Sequence, residues 1–196
     1  MGVTRPHFCT LILYHVVPPT PTKCPFPDVR RVVTGHTPTG KSTVVADTIQ
    51  PPTSWSPDSV NPKFDLYYTG SAPAPIDSEI TQGKWVDEIA DHPEIISAGG
   101  STFRAFEFAP GSSSPLHRTV SLDYGIVAKG SVVLELEGGE RVTLNEGDTI
   151  IQRGTMHCWR NETDEWARMY FVGLGAKHVN INGKELEEEW HKAAKN

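Results

Sequence analysis

Cysteine is scarce. Cys9, Cys24 and Cys158 are the only three in 196 residues. The count is odd and no C-x-x-C spacing occurs, which argues against a disulfide framework or a zinc ribbon. It favours a reducing compartment, with the cytoplasm as the expected location. Basic runs are short, none exceeding Arg30-Arg31, and net charge is −6 from 18 Lys and Arg against 24 Asp and Glu. The electrostatic footprint of a nucleic-acid or anionic-membrane partner is missing, so neither is expected. A membrane span is missing too. The apolar segment Phe8–Val17 has ten residues and contains His15, where a bilayer requires ~20. With Arg5 ahead of it the segment weakly resembles the core of a signal peptide, but no A-x-A-like cleavage site follows. An extended arm or strand covering apolar surface is the preferred reading.

What is abundant is chain-bending residues. The sequence holds 17 glycines and 16 prolines, and 13 of the prolines precede residue 76, while 12 of the glycines lie from Gly99 onward. The length, set against ~150 residues per domain, suggests one domain with an extension. Residues 1–28 read as a proline-punctuated arm. Arg30–Thr34, Thr43–Ile49 and Lys63–Tyr68 are strand-like, and residues 29–98 are expected as additional strands and loops. A short helix over Asp77–Ala90 is suggested by Trp85 and Ile89 at i,i+4 spacing, although Gly83 weakens it.

From Ser101 the pattern has period two. Arg104, Phe106 and Phe108 share one face of Thr102–Ala109, with Phe103, Ala105 and Glu107 on the other. Further strands are expected at Val120–Ala128, Val132–Glu137, Arg141–Leu144, Thr149–Gln152, His157–Arg160 and Trp166–Val172, separated by glycine-bearing turns. Many short strands at regular spacing predict an antiparallel sandwich or barrel. Glu185–Ala194, with acids first and lysines last, reads as a closing helix that docks through Leu186 and Trp190.

One motif is rejected. Gly35-His-Thr-Pro-Thr-Gly40-Lys41-Ser42 matches the phosphate-binding loop pattern in full. That mechanism needs a helix directly after the lysine. Here the strand-like Thr43–Ile49 follows, so a hairpin turn is the better account and no nucleotide is expected.

The chemistry concentrates between Gly111 and Asn161. On an unbroken strand His117, Thr119, Ser121 and Asp123 point one way, and His157 with Trp159 can face them from a neighbour. Two imidazoles and a carboxylate form the ligand set of a 2-His-1-carboxylate metal site. The same groups without a metal can serve acid–base chemistry near neutral pH, or simply satisfy one another in a core. Arg153 could bind a substrate carboxylate, phenolate or enolate, or pair with an acid at the rim. Trp159 could stack an aromatic substrate or belong to the core, and Phe106 is core or pocket wall. Cys158, between inward residues, should face outward.

This stretch resembles the cupin superfamily. Gly111, His117 and Gly130 match its first motif, G-x5-H-x-H-x3,4-E-x6-G; Gly147, His157 and Asn161 match its second, with one residue fewer before the histidine. The combination HRTVSLDYGIV with QRGTMHCWRN is similar to small single-domain cupins of microbial and fungal secondary metabolism. Thr119 stands at the family's second histidine and Asp123 at its glutamate, so carry-over leaves His117, Asp123 and His157 as ligands. The resemblance implies an all-β fold: a single cupin barrel (double-stranded β-helix, or jelly roll) over residues 99–176, with an N-terminal arm and a helical tail over 177–196. It further implies a homodimer and a divalent transition metal such as Fe, Zn, Mn or Ni. The expected function is a small-molecule enzyme acting on an aromatic or polyketide-like intermediate, as a metal-dependent oxidoreductase or dioxygenase. Arg153, Trp159, Thr119 and Phe106 are candidate substrate contacts. The alternatives are a non-redox lyase using the same His and Asp residues, and a non-catalytic ligand-binding cupin.

Overall fold

The computed structural model describes residues 23–56 and 59–191. The segment Phe8–Val17, most of the expected arm and the last five residues of the chain, which include the last three of the expected helix Glu185–Ala194, lie outside them. In chain order the strands are β1 (Val29–His36), β2 (Ser42–Gln50), β3 (Thr53–Ser54), β4 (Pro62–Thr69), β5 (Ser101–Phe108), β6 (His117–Arg118), β7 (Ser121–Lys129) and β8 (Ser131–Leu136). They continue with β9 (Arg141–Asn145), β10 (Thr149–Arg153), β11 (His157–Arg160), β12 (Ala167–Gly175), β13 (Val179–Ile181), β14 (Lys184–Leu186) and β15 (Glu189–Trp190). A six-stranded sheet has the order β10-β7-β12-β5-β4-β3, and a five-stranded sheet β15-β6-β11-β8-β9. All pairings are antiparallel.

The principal core sits between these sheets. Phe108, Val127, Ala167 and Met169 come from the larger one, and Val132, Leu134, Leu144 and Trp159 from the smaller. Alternation places one apolar side chain in two on the inner face, each large one contributing roughly 1.5–3 kcal/mol on burial. The outer face of the larger sheet is partly covered by β1, whose Val29 packs with Phe64, Leu66, Ala105 and Tyr170. Beneath it Glu107 and Arg168 form a buried ion pair. The larger sheet thus draws β3 and β4 from the segment before residue 98.

Several expectations meet a different outcome. The Asp77–Ala90 helix is a single turn, α1 (Ser78–Thr81), because Gly83 adopts φ 76° and turns the chain; a 3-10 turn follows at Ile89–Asp91. The tail helix expected over Glu185–Ala194 is not formed by its described residues. Val179–Ile181 pairs with Lys184–Leu186 across a two-residue Asn182-Gly183 turn, both with positive φ (52° and 84°), and β15 then joins the smaller sheet. Asn-Gly is the turn that fits the twist of a tight hairpin, and that local preference outweighed the charge pattern. The phosphate-loop look-alike is the β1–β2 hairpin, closed by Thr37 N–H to Lys41 O at 2.8 Å, with a strand after the lysine. Among the described residues no helix is long and apolar enough to cross a membrane.

Candidate functional site

The stretch His117–Asp123 is not one strand. His117 lies in β6 of the smaller sheet and Ser121 begins β7 of the larger, with Thr119 and Val120 carrying the chain across the gap. The crossing still brings the chemistry together, because both inner faces look into one cavity. Its walls include His117, Thr119, Asp123, His157, Trp159 and Phe106, with a volume of about 110 Å³.

His117 and His157 are direct partners across β6 and β11, their ring centroids 4.3 Å apart. Each ring is locked in the same way: Nδ1 lies 2.9 Å from the carbonyl oxygen two residues earlier, that of Pro115 and of Thr155 respectively. A carbonyl only accepts, so Nδ1 carries the proton and donates. Nε2 is left as the basic nitrogen of each neutral ring. Burial pulls the His157 pKa down to about 4, with the neighbouring His117 adding to the effect. His117 is likewise lowered by burial, the Pro115 hydrogen bond partly opposing it. At neutral pH the pair is two uncharged bases.

Asp123 faces them from the other sheet. It sits in an inward row whose register runs Gln152, Asp123, Gly173, Thr102 across β10, β7, β12 and β5. A Cβ on Gly173 would stand 2.9 Å from Asp123 Oδ1 and 2.5 Å from Ile96 Cδ1, so glycine makes the space the carboxyl occupies. Burial raises the Asp123 pKa to about 6, against the hydrogen bond that Ser121 donates to Oδ2 at 2.8 Å. Thr119 lies 2.8 Å from the Ser121 hydroxyl and completes a short hydroxyl chain ending on the carboxyl.

Arg153 requires correction. It is exposed on the outward face of β10 and lines a separate surface cleft with Arg118, Gly154 and Leu186. Gln152 takes the inward place, 3% exposed. Trp159 is at once core and wall, 5% exposed and edge-on to His157 at 5.5 Å. Phe106 lies edge-on to Phe171 and Trp55. Cys158 does lie between two inward residues, but it is 3% exposed rather than at the surface.

Four residues were not anticipated. Trp190, from β15, stacks on His117, and Trp55 leans against Trp190 at 5.3 Å. Arg104 and Gln152 line the cavity as well. Arg104 was placed on the same face as Phe106 and Phe108 by the alternation of β5, and Trp190 was read only as a docking residue of a tail helix, whereas Trp55 enters from a distant segment and left no sequence signal.

For a metal, the donor geometry is decisive. Ligands bound to one ion at 2.0–2.2 Å lie within ~4.4 Å of one another. Among the described residues the one trio of His, Cys, Asp or Glu donors within 4.8 Å is the exposed set His178, Glu185 and Glu187. His117, Asp123 and His157 share a cavity without converging on a common point, so as placed they do not fit a three-ligand centre.

Two facing antiparallel sheets thus enclose one cavity lined by a buried histidine pair. Residues 104–173 match the family described as the Cupin domain. Oryzines biosynthesis cluster protein J of Aspergillus oryzae is 39% identical over 165 residues, 83% of this chain and 92% of that protein. The cupin-domain-containing oxidoreductase srdB of Neurospora crassa is 33% identical over 170 residues, 85% of each. A Cupin 2 conserved barrel domain protein from Salinispora arenicola is similar to this chain with a TM-score of 0.36 and 28% identity, over 42% of this chain and 69% of that one. The chain belongs to the cupin family, and its relatives include a fungal biosynthesis-cluster protein and a cupin-domain-containing oxidoreductase.

Proposed function

We propose that this chain is an enzyme of secondary metabolism that moves protons on a flat, conjugated carbonyl compound, as a dehydratase, decarboxylase or cyclase. One observation carries the reading: a carboxyl with a pKa of about 6 and two uncharged imidazoles with free Nε2 atoms line a single buried cavity. Near neutral pH a carboxyl so tuned can deliver a proton and an imidazole can take one. The aromatic walls Phe106, Trp159, Phe171 and Trp55 suit a planar substrate. In a dehydration, an imidazole Nε2 would take the proton beside the carbonyl, Asp123 would protonate the departing hydroxyl, and water would leave.

The test is turnover of β-hydroxy and β-keto carbonyl compounds in deuterated water. Asp123→Asn and His157→Gln are each expected to slow exchange or dehydration by about 10²-fold or more, with chelators without effect. Full turnover in both variants, or strict dependence on a chelatable ion and oxygen, overturns it.

A second reading follows from the matched Nδ1 locks, which hold both imidazoles as metal ligands are commonly held. It is an oxidoreductase with an Fe, Zn, Mn or Ni ion on the histidine pair, in keeping with the oxidoreductase name of a relative. Metal titration of the wild type against His117→Ala separates the two readings.

The implied homodimer is also proposed. Ile151, Tyr124, Val172 and Phe103 are successive cross-strand partners on the outer face of the larger sheet. Ile151 is 50% exposed and Tyr124 43%. An uncharged apolar row of this kind suits a second copy, and Tyr124→Lys is expected to give a monomer by analytical ultracentrifugation.

A further inference from the structure

We infer that Arg104 makes the cavity an anion site, so that the substrate is a planar molecule carrying a carboxylate or an equivalent enolate or phenolate oxygen. The inference deepens the proton-transfer reading and rests on it only for the word substrate. Arg104 projects inward from β5, lines the cavity and is 2% exposed. Among the described lining residues it is the only lysine or arginine.

Its charge is incompletely answered by the protein. Nε lies 2.7 Å from Asp65 Oδ1, and Nη2 donates to the His92 carbonyl at 3.0 Å. Nη1 is buried and meets no acceptor. Asp65 is shared, because Lys63 Nζ lies 2.5 Å from its other oxygen. Two cations therefore share one carboxylate, and neither has it to itself. Glu94, which adds an attraction to the guanidinium, is itself half-exposed and engaged with His92. A buried guanidinium with an idle N–H is costly unless an anion completes it. The planar fork also matches a planar oxyanion.

The arrangement separates recognition from chemistry. Arg104 belongs to the inward row Ile150, Gly125, Phe171, Arg104, one row away from Asp123, with Gly173 and Phe171 between them. A flat ligand held by its oxyanion at Arg104 would lie along Phe171 with its far part toward Asp123 and the histidines.

The experiment is binding without turnover. Benzoate and its neutral isostere benzamide are titrated at neutral pH into the full chain, read by the fluorescence of the cavity tryptophans and by calorimetry. Saturable benzoate binding is expected, with benzamide about tenfold weaker or worse, and Arg104→Gln should abolish that preference. Arg104→Lys, which keeps the charge but loses the fork, should retain part of it. Thermal melting establishes that each variant is folded. Equal affinity for benzoate and benzamide, unchanged benzoate binding in Arg104→Gln, or no benzoate binding by the wild type each overturns the inference. Asp123→Asn should bind benzoate no less well than the wild type, so failure of the proton-transfer reading leaves this result distinguishable.

Discussion

Trp190 lies flat on His117, with ring centroids 4.4 Å apart and planes 9° from parallel. The two are also cross-strand partners of β15 and β6, so a tail strand of two residues supplies a wall of the site. His191 N–H to Leu116 O at 2.9 Å and the approach of Arg118 to Glu189 hold this strap in place. Trp190 is 38% exposed, so one of its faces seals the imidazole while the other meets solvent.

Removing that cover should rehydrate His117. In Trp190→Ala the depressed His117 pKa is expected to rise toward the ordinary imidazole value, because burial is the main cause of its depression. A nitrogen-detected NMR titration of the histidine side chains reads this directly. An unchanged His117 titration would mean that the stack does not shield the ring.

Stability against pH carries two opposed signatures. His157 has a pKa of about 4 in the fold against 6.5 free, so between these values the unfolded chain binds more protons and stability rises with pH. Asp123 has a pKa of about 6 against 3.8, so between these values the folded chain binds more protons and stability falls as pH rises. From about pH 4 to 6 the two largely cancel. Asp123→Asn should therefore unmask a rise of up to about 1.4 kcal/mol per pH unit, and His157→Gln a fall of similar size. Urea denaturation at stepped pH checks both, and variants that parallel the wild type would contradict the assignment.

Gly173 holds the carboxyl's place. In Gly173→Ala the new methyl would meet Ile96 Cδ1 at 2.5 Å and Asp123 Oδ1 at 2.9 Å. The flexible end of Ile96 can give way more easily than the carboxyl, which is tied to Ser121. A loss of about 1–3 kcal/mol in urea unfolding is expected, together with a displaced Asp123 titration. A neutral substitution would show the cavity to be looser than described.

Much of this site was legible in the sequence, and the failures have physical causes. His157–Arg160 is a strand with the expected bounds, and the alternation of β5 gave the inward faces of Arg104, Phe106 and Phe108. Spacing could not show that Thr119 and Val120 leave one sheet for the other, because alternation carries no information on which sheet a strand joins. Arg153 was read only from its place beside the second motif; β10 extends through it, and alternation gives the inward position to Gln152 and turns Arg153 outward. The tail was read from its charges, while Asn182-Gly183 was the stronger signal. Trp55 lines the cavity and Trp190 covers His117 through contacts between distant segments, which a local pattern does not contain.

The central claim is that one sheltered cavity holds Asp123 and His157 with inverted proton affinities. Side-chain NMR of the wild type, following the Asp123 carboxyl carbon and the His157 ring nitrogens from acid to neutral pH, measures it most directly. The account predicts that Asp123 titrates at about 6 and His157 at about 4. Ordinary values, 3.8 for the carboxyl and 6.5 for the imidazole, would contradict it.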